Sequence, residues 1–278
     1  MRVNIGYEID MKKDDRYLPV AIAAAKEAGQ IQLLHFGHSH TVEYKGDFNP
    51  VTEVDRLCEQ AIVKKILDAF PDHDILTEES PFIGKGSPWR WIIDPLDGTT
   101  NYFHKFPFFS VSIGLEVEGE MKLGVVYYPI LDELFIAERG KGAFLNGNRI
   151  SVSSTDVLKR SFLGTGFPYE VHENPDLYLR YFRQFLIKSF AIRRPGSAAI
   201  DLCCLAAGRF DGFWELKLHP WDMAAGSLIV TEAGGKVTGF KGQPLNIYSE
   251  EILASNGLIH EQMLQVIQEI EDIKSPNK

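Results

Sequence analysis

Residues Trp91 to Asn101 read WIIDPLDGTTN. The apolar residues Trp91, Ile92, Ile93 and Leu96 lead up to and separate two aspartates, Asp94 and Asp97, and the chain then passes through Gly98 into two threonines. A buried strand that ends in carboxylates is a pattern suited to a metal site. Pro95 is expected to stop the strand, because proline has no N–H for the ladder. Gly98 and Thr99 then open a helix whose first N–H groups are free, and such a terminus binds phosphate. The competing reading is that both aspartates only shape turns, since Asp-Pro and Asp-Gly are frequent turn dipeptides.

Acids elsewhere favour the first reading. ILTEES (75–80) places Glu78 just after an apolar run, and PWDMAAGSLIVTEAGG (220–235) places Asp222 at the start of an apolar helix. Each alone reads as a strand end or a helix cap. Together with Asp94 and Asp97 they are acids from distant segments, each set in apolar sequence. If they converge, each bare carboxylate pair at about 4 Å costs roughly 4 kcal/mol at an effective dielectric near 20. A divalent cation removes that cost, and oxygen ligands without His or Cys select Mg²⁺ first and Mn²⁺ second.

Outward from this centre, periodicity predicts a helix from Asp15 to Phe36, stopped at Gly37, and a second from Thr52 to Phe70, closed by Pro71. Thr52 and Asp55 fit a capping box at the start of the second. Short β-rich runs follow at 75–77, 91–93, 109–117, 121–128 and 133–137, joined by turn signals that include Asn146-Gly147-Asn148, which predicts an antiparallel sheet. Beyond Ser154 the pattern alternates: strands near 162–167, 190–193 and 210–215, helices near 176–187, 198–207 and 221–233, and a last helix after Gly257. Layered α/β packing is expected there. The division falls between Ile150 and Lys159, giving an N-terminal α+β half (1–154) and a C-terminal α/β half (155–278) packed as one unit.

Composition sets the outer limits. The chain has 278 residues, 45% of them hydrophobic and 24% charged, with a formal net charge of −9. That balance is globular, and its acidity argues against a nucleic-acid binder held by counterion release. No apolar run reaches the roughly 18 residues of a membrane span, and the first 17 residues lack the apolar core of a signal peptide. A cytoplasmic location is therefore expected. Adjacent Cys203 and Cys204 within an apolar stretch read as core thiols, and His35, His38 and His40 lack the partners of a structural zinc site.

DPLDGTTN followed by WDMAAG, with EES between a VTEVD segment and the first motif, resembles the inositol monophosphatase family of Mg²⁺-dependent, lithium-sensitive sugar phosphatases. The likeness runs from about Asp15 to Glu271. It implies a layered αβαβα sandwich, a homodimer and two or three Mg²⁺ per site. It implies Glu78, Asp94, Asp97 and the Leu96 carbonyl as metal ligands, with Asp222 joining on a second ion. It implies that Thr99 pairs with Asp55 as a proton relay to the attacking water, with Glu78 sharing in catalysis. Phosphate is then expected on the N–H groups of Gly98 and Thr99, beside Leu96 and Asp97, and the resemblance implies that Gly196, Ser197, Ala198, Glu215 and Asp222 hold the sugar. The implied substrate is a small phosphate ester, myo-inositol 1-phosphate first, with no nucleic-acid or membrane partner. Fructose 1,6-bisphosphate is the alternative, with Arg193, Arg194 and Lys217 to receive a second phosphate; a nucleotide 3'-phosphatase and a regulatory protein that keeps the fold come after it. The loop SPFIGKGSP (80–88) is expected to be a mobile flap over the metals, and Lys45 to match a family lysine at their entrance.

Overall fold

The structure, a computed structural model, describes residues 16–38, 42–45 and 49–273. Helix α1 (Tyr17–His35) ends one residue before Phe36, and Gly37 follows at φ 85°, the left-handed stop the sequence predicts. Residue 15, where that helix was expected to begin, lies outside the described residues, as does His40. A hairpin of β1 (Val42–Lys45) and β2 (Asn49–Thr52) leads into α2 (Glu53–Ala69). The Lys45 side chain is also outside the described residues.

The first sheet comprises, in chain order, β3 (Asp74–Thr77), β4 (Trp89–Asp97), β5 (Ser110–Val117), β6 (Glu120–Tyr128), β7 (Glu133–Glu138), β8 (Gly142–Leu145) and β9 (Asn148–Arg149), paired in that same order. Short helix α3 (Thr99–Phe103) separates β4 from β5. All pairs are antiparallel except β3 with β4. The β8–β9 turn places Asn146 and Gly147 at φ 48° and 79°, the conformation a two-residue hairpin requires.

One expectation about the deciding stretch needs correction. Pro95 does not stop the strand: β4 runs on to Asp97, with a register shift between Asp94, opposite Ser112, and Asp97, opposite Ser110. β3 pairs only as far as Ile93, so on that side no ladder partner requires an N–H from Pro95. The bulge carbonyl is satisfied from α1 instead, because Gln32 Nε2 donates to Pro95 O at 2.9 Å and to Ser110 O at 3.3 Å.

The second sheet is built from β10 (Phe162–Thr165), β11 (Ala191–Arg193), β12 (Gly212–Leu216), β13 (Lys236–Thr238) and β14 (Glu251–Ser255), in the order β11-β10-β12-β14-β13. β10 is parallel to β11 and β12, whereas β14 runs antiparallel to β12 and β13. Helices α4 (Pro175–Lys188), α5 (Ala198–Ala206), α6 (Pro220–Glu232) and α7 (His260–Ile273) complete the chain.

Burial explains the layering. The inner face of α1 is small (Ala21, Ala24, Ala25, Ala28) and packs with α2 on one side of the first sheet, against Trp91, Ile93 and Val111. α5 and α6 are buried nearly all round, from Ala198 to Ala206 and from Met223 to Val230. A helix apolar on every face belongs between two layers, and these two fill the space between the sheets. α4 and α7 bury one face each on the far side of the second sheet, around Phe185, Trp214 and Met263. The result is the expected αβαβα sandwich. Cys203 and Cys204 are buried free thiols within its middle layer.

Candidate active site

The deciding stretch delivers its acids to the place where both sheets and the middle helices meet. Asp94 and Asp97 come from the end of β4, and Asp222 from the first turn of α6. Carboxylate oxygens of these three lie within 4.8 Å of one another. Each carboxylate has one oxygen fixed by backbone: Leu96 N donates to Asp94 Oδ1 (2.9 Å), Ala199 N to Asp97 Oδ2 (2.9 Å) and His219 N to Asp222 Oδ2 (2.6 Å). Ser197 Oγ also donates to Asp97 Oδ2, at 2.5 Å. Rigid backbone partners therefore orient all three.

The electrostatics are those of a site short of positive charge. Burial, then the neighbouring charges of Glu78, Asp97 and Asp222, push the Asp94 carboxyl well above its ordinary range. Burial and the Asp97 charge do the same to Asp222. Burial carries Asp97 up to about 6, against the hydrogen bonds from Ser197 and Ala199 that pull it down. An all-oxygen donor set at this spacing fits a hard divalent cation, which would let the three ionise together.

Around them opens a cavity of about 480 Å³. Of the residues named from the sequence, Glu78, Asp94, Leu96, Asp97, Gly98, Thr99, Gly196, Ser197, Ala198, Glu215 and Asp222 all line it. Asp55 does not, but it touches a residue that does: Thr99 Oγ1 donates to Asp55 Oδ1 and to Leu96 O, 3.0 Å each. Thr52 N and Oγ1 bond the other oxygen, Asp55 Oδ2, so the capping box is present as well. Burial raises the Asp55 carboxyl, opposed by the Thr52 and Thr99 bonds.

Gly98 is required where it stands. Its φ is +94°, and a Cβ would lie 2.9 Å from Phe108 O and 3.3 Å from Gly196 O. The helix it opens, α3, has only five residues, so its dipole is small and the local N–H groups matter more. Glu215, which without the family likeness reads as a surface strand residue, is buried, and its carboxyl is pushed up to about 8 by that burial, with Arg194 opposing.

Two expectations about neighbours differ from the structure. The 80–88 loop does not line the cavity. Ile83 exchanges backbone bonds with Ile75, and Asp74 Oδ1 accepts from Lys85 N (2.6 Å) and Ser87 N (3.2 Å), so the loop is tied back along β3. Of the three cationic residues proposed for a second phosphate, Arg194 and Lys217 line the cavity and Arg193 does not; its guanidinium stacks over Phe162.

The sequence reading missed contributors. The loop Gly166 to Val171 lines one wall, and nothing in its composition marked it. Asn101 donates through Nδ2 to Phe108 O (2.8 Å), Pro195 O (2.9 Å) and Gly196 O (3.2 Å), joining the two sheets' contributions.

A layered αβαβα chain whose interlayer cavity collects three aspartates is the architecture of a metal-dependent phosphatase class. The comparisons agree: residues 13–272 match the inositol monophosphatase family, and the chain belongs to it. It is 43% identical over 254 residues to a protein of Neisseria meningitidis serogroup B called a putative Nus factor SuhB, covering 90% of this chain and 97% of that one. To the fructose-1,6-bisphosphatase/inositol-1-monophosphatase of Aquifex aeolicus it is 41% identical, covering 92% and 97%. The crystal structure of the extragenic suppressor protein suhB from Bartonella henselae superposes with a TM-score of 0.86 at 42% identity, covering 90% and 98%. Among the described residues, no helix is long and apolar enough to cross a membrane.

Proposed function

We propose that this cavity hydrolyses phosphate monoesters of polyols, myo-inositol 1-phosphate first among them. The observation that carries the proposal is the convergence of Asp94, Asp97 and Asp222 in one cavity with Gly98, Thr99 and Glu215. Glu78, Asp94, Asp97, Asp222 and the Leu96 carbonyl would hold two or three Mg²⁺, with Mn²⁺ as substitute. When bound, the cation acidifies water and neutralises charge on the phosphate and the leaving oxygen. Thr99 Oγ1 takes a proton from the attacking water and passes its own to Asp55 Oδ1, along the hydrogen bond already made. The N–H groups of Gly98 and Thr99 receive phosphate oxygens. Glu215 and Asp222 accept polyol hydroxyls, and Gly196, Ser197 and Ala198 contribute through their backbone, since the Ser197 hydroxyl is engaged by Asp97. Lithium sensitivity and a homodimeric assembly belong to the same proposal.

Turnover of myo-inositol 1-phosphate and fructose 1,6-bisphosphate, measured side by side in Mg²⁺, tests the substrate. Faster release from the monophosphate is expected; faster release from the bisphosphate would reverse the order. The bisphosphate is the second reading because Arg194 and Lys217 stand at the cavity wall and the Aquifex aeolicus relative is named for both activities. A regulatory role beside catalysis is favoured by the relatives called Nus factors; the complete acid set supports catalysis in either case.

A further inference from the structure

Glu78 sits at the end of β3, and both of its chain neighbours are held by one side chain from another element. Glu59, on α2, accepts from Thr77 Oγ1 at 2.6 Å and from Glu79 N at 3.0 Å, both on Oε2. Glu59 is buried, with 4% of its surface exposed. A carboxyl oxygen that takes a hydroxyl and an N–H in a buried place makes directional bonds that are costly to lose. Here they hold the Thr77 side chain and the Glu79 amide on either side of Glu78 and so restrict where its own side chain starts. Glu59 is also one helical turn beyond Asp55 and shares its face. Asp55 holds Thr99, which follows β4, while Glu59 holds the end of β3. The parallel pairing of β3 and β4 sets Thr77 beside Ile93, so the end of β3 lies one residue before Asp94 on the neighbouring strand.

We propose that Glu59 is a positioning residue for the metal centre, and that α2 acts as a bracket whose two carboxylates, Asp55 and Glu59, align the two strand ends. The inference rests on the reading of Glu78 as a metal ligand. Glu59 does not line the cavity; its effect passes through the Thr77 hydroxyl and the Glu79 amide. Side chains that orient a metal ligand typically change metal affinity about 10- to 100-fold when removed. Glu59→Gln keeps a carbonyl oxygen that accepts from both donors. Glu59→Ala removes it, and Thr77→Val removes one donor while keeping a β-branched strand residue.

Mg²⁺ titration by calorimetry, with Mn²⁺ binding by electron paramagnetic resonance as a second readout, separates the outcomes. Glu59→Ala is expected to weaken metal binding by about tenfold or more, Glu59→Gln to restore most of it, and Thr77→Val to fall between. In kinetics the Mg²⁺ half-saturation point should rise while KM for substrate at saturating Mg²⁺ stays within about twofold. Glu78→Gln is measured alongside. If Glu78→Gln weakens metal binding and neither Glu59→Ala nor Thr77→Val does, the bracket is refuted and the ligand assignment stands. If Glu78→Gln binds metal as the parent does, both are refuted. Should Glu59→Ala fail to fold, Thr77→Val with parental affinity overturns the inference.

Discussion

Replacing Asp94 by Asn should stabilise the metal-free protein and abolish its response to Mg²⁺, two effects of opposite sign from one atom. Asp94 is buried with 1% exposure, and its oxygens lie within 4.8 Å of those of Asp97 and Asp222. One fully ionised pair at that distance costs about 3.5 kcal/mol at an effective dielectric near 20. Asp94 stands in two such pairs. The full cost is not realised, because burial and the neighbouring charges raise the carboxyls and protonation relieves part of the repulsion. The recoverable part is about 1–3 kcal/mol. Asparagine keeps the oxygen that accepts from Leu96 N, so the turn at Pro95 is preserved. For a chain of this size about 2–4 °C of Tm accompanies each kcal/mol, which sets the expected rise in EDTA at roughly 2–12 °C. In Mg²⁺ the parent gains about 2.7 kcal/mol at a hundredfold excess over Kd, and Asp94→Asn should gain almost nothing. Differential scanning calorimetry in EDTA and then in Mg²⁺ reads both effects, with ester hydrolysis as the third measure. A variant that melts below the parent in EDTA while keeping the full Mg²⁺ shift would refute the reasoning.

Further outcomes follow from individual contacts. Gly166→Ala places a Cβ 2.0 Å from Glu215 Oε1, so that carboxylate must leave its position; kcat/KM should fall about 10- to 100-fold with Mg²⁺ affinity unchanged, and an unaltered rate would remove Glu215 from the substrate site. His260 is buried between the hydroxyls of Ser255 and Thr238, and burial lowers it to about 4. A histidine held neutral in the fold and free to protonate when unfolded gives stability that is complete above about pH 6.5 and is lost as pH falls toward 4, up to about 3 kcal/mol. Urea titrations between pH 7 and 4 should show that slope, and His260→Gln should flatten it. Gln32→Leu leaves Pro95 O and Ser110 O without their shared donor. A loss of about 1–3 kcal/mol is expected by chemical denaturation, with reduced Mg²⁺ affinity because the bulge carries Asp94 and Asp97.

Much of the molecule is legible where period and chemistry coincide. The edges of β5, β6 and β7 fall within a residue of their apolar runs, because alternation and turn residues agree there. β14 was not anticipated: its run, EILAS (251–255), is short, and no periodicity sets it apart from a loop, yet it lies between β12 and β13. Pro95 misled for a physical reason. The rule that proline ends a strand presumes a ladder partner for its N–H, and β3 has already ended at that point. The acids were readable because carboxylates in apolar sequence are costly without a purpose. The contacts that support them were not, since Glu59 acts through the Thr77 hydroxyl and the Glu79 amide and Asn101 reaches the carbonyls of Pro195 and Gly196, contacts that no local pattern encodes.

The sequence posed helix capping and metal binding as rival readings of the same acids, and the capping contacts in the structure leave Asp97 and Asp222 gathered in one cavity, so the two readings are compatible. Asp97 accepts from Ala199 N and from Ser197, the residue that caps α5. Asp222 closes a capping box at the start of α6, and Asp55 does so for α2. Carboxylates at helix N-termini are stabilised by unpaired N–H groups and by the dipole, so each acid is held in its place before any cation arrives. This bears on the net charge of −9. An acidic protein needs no basic patch for an anionic ester if its buried acids are organised by helix ends and then neutralised by divalent ions. The same organisation explains why the centre lies where both sheets meet: α5 and α6 start beside the end of β4, and Asp97, held by the start of α5, and Asp222, in the first turn of α6, both line the cavity.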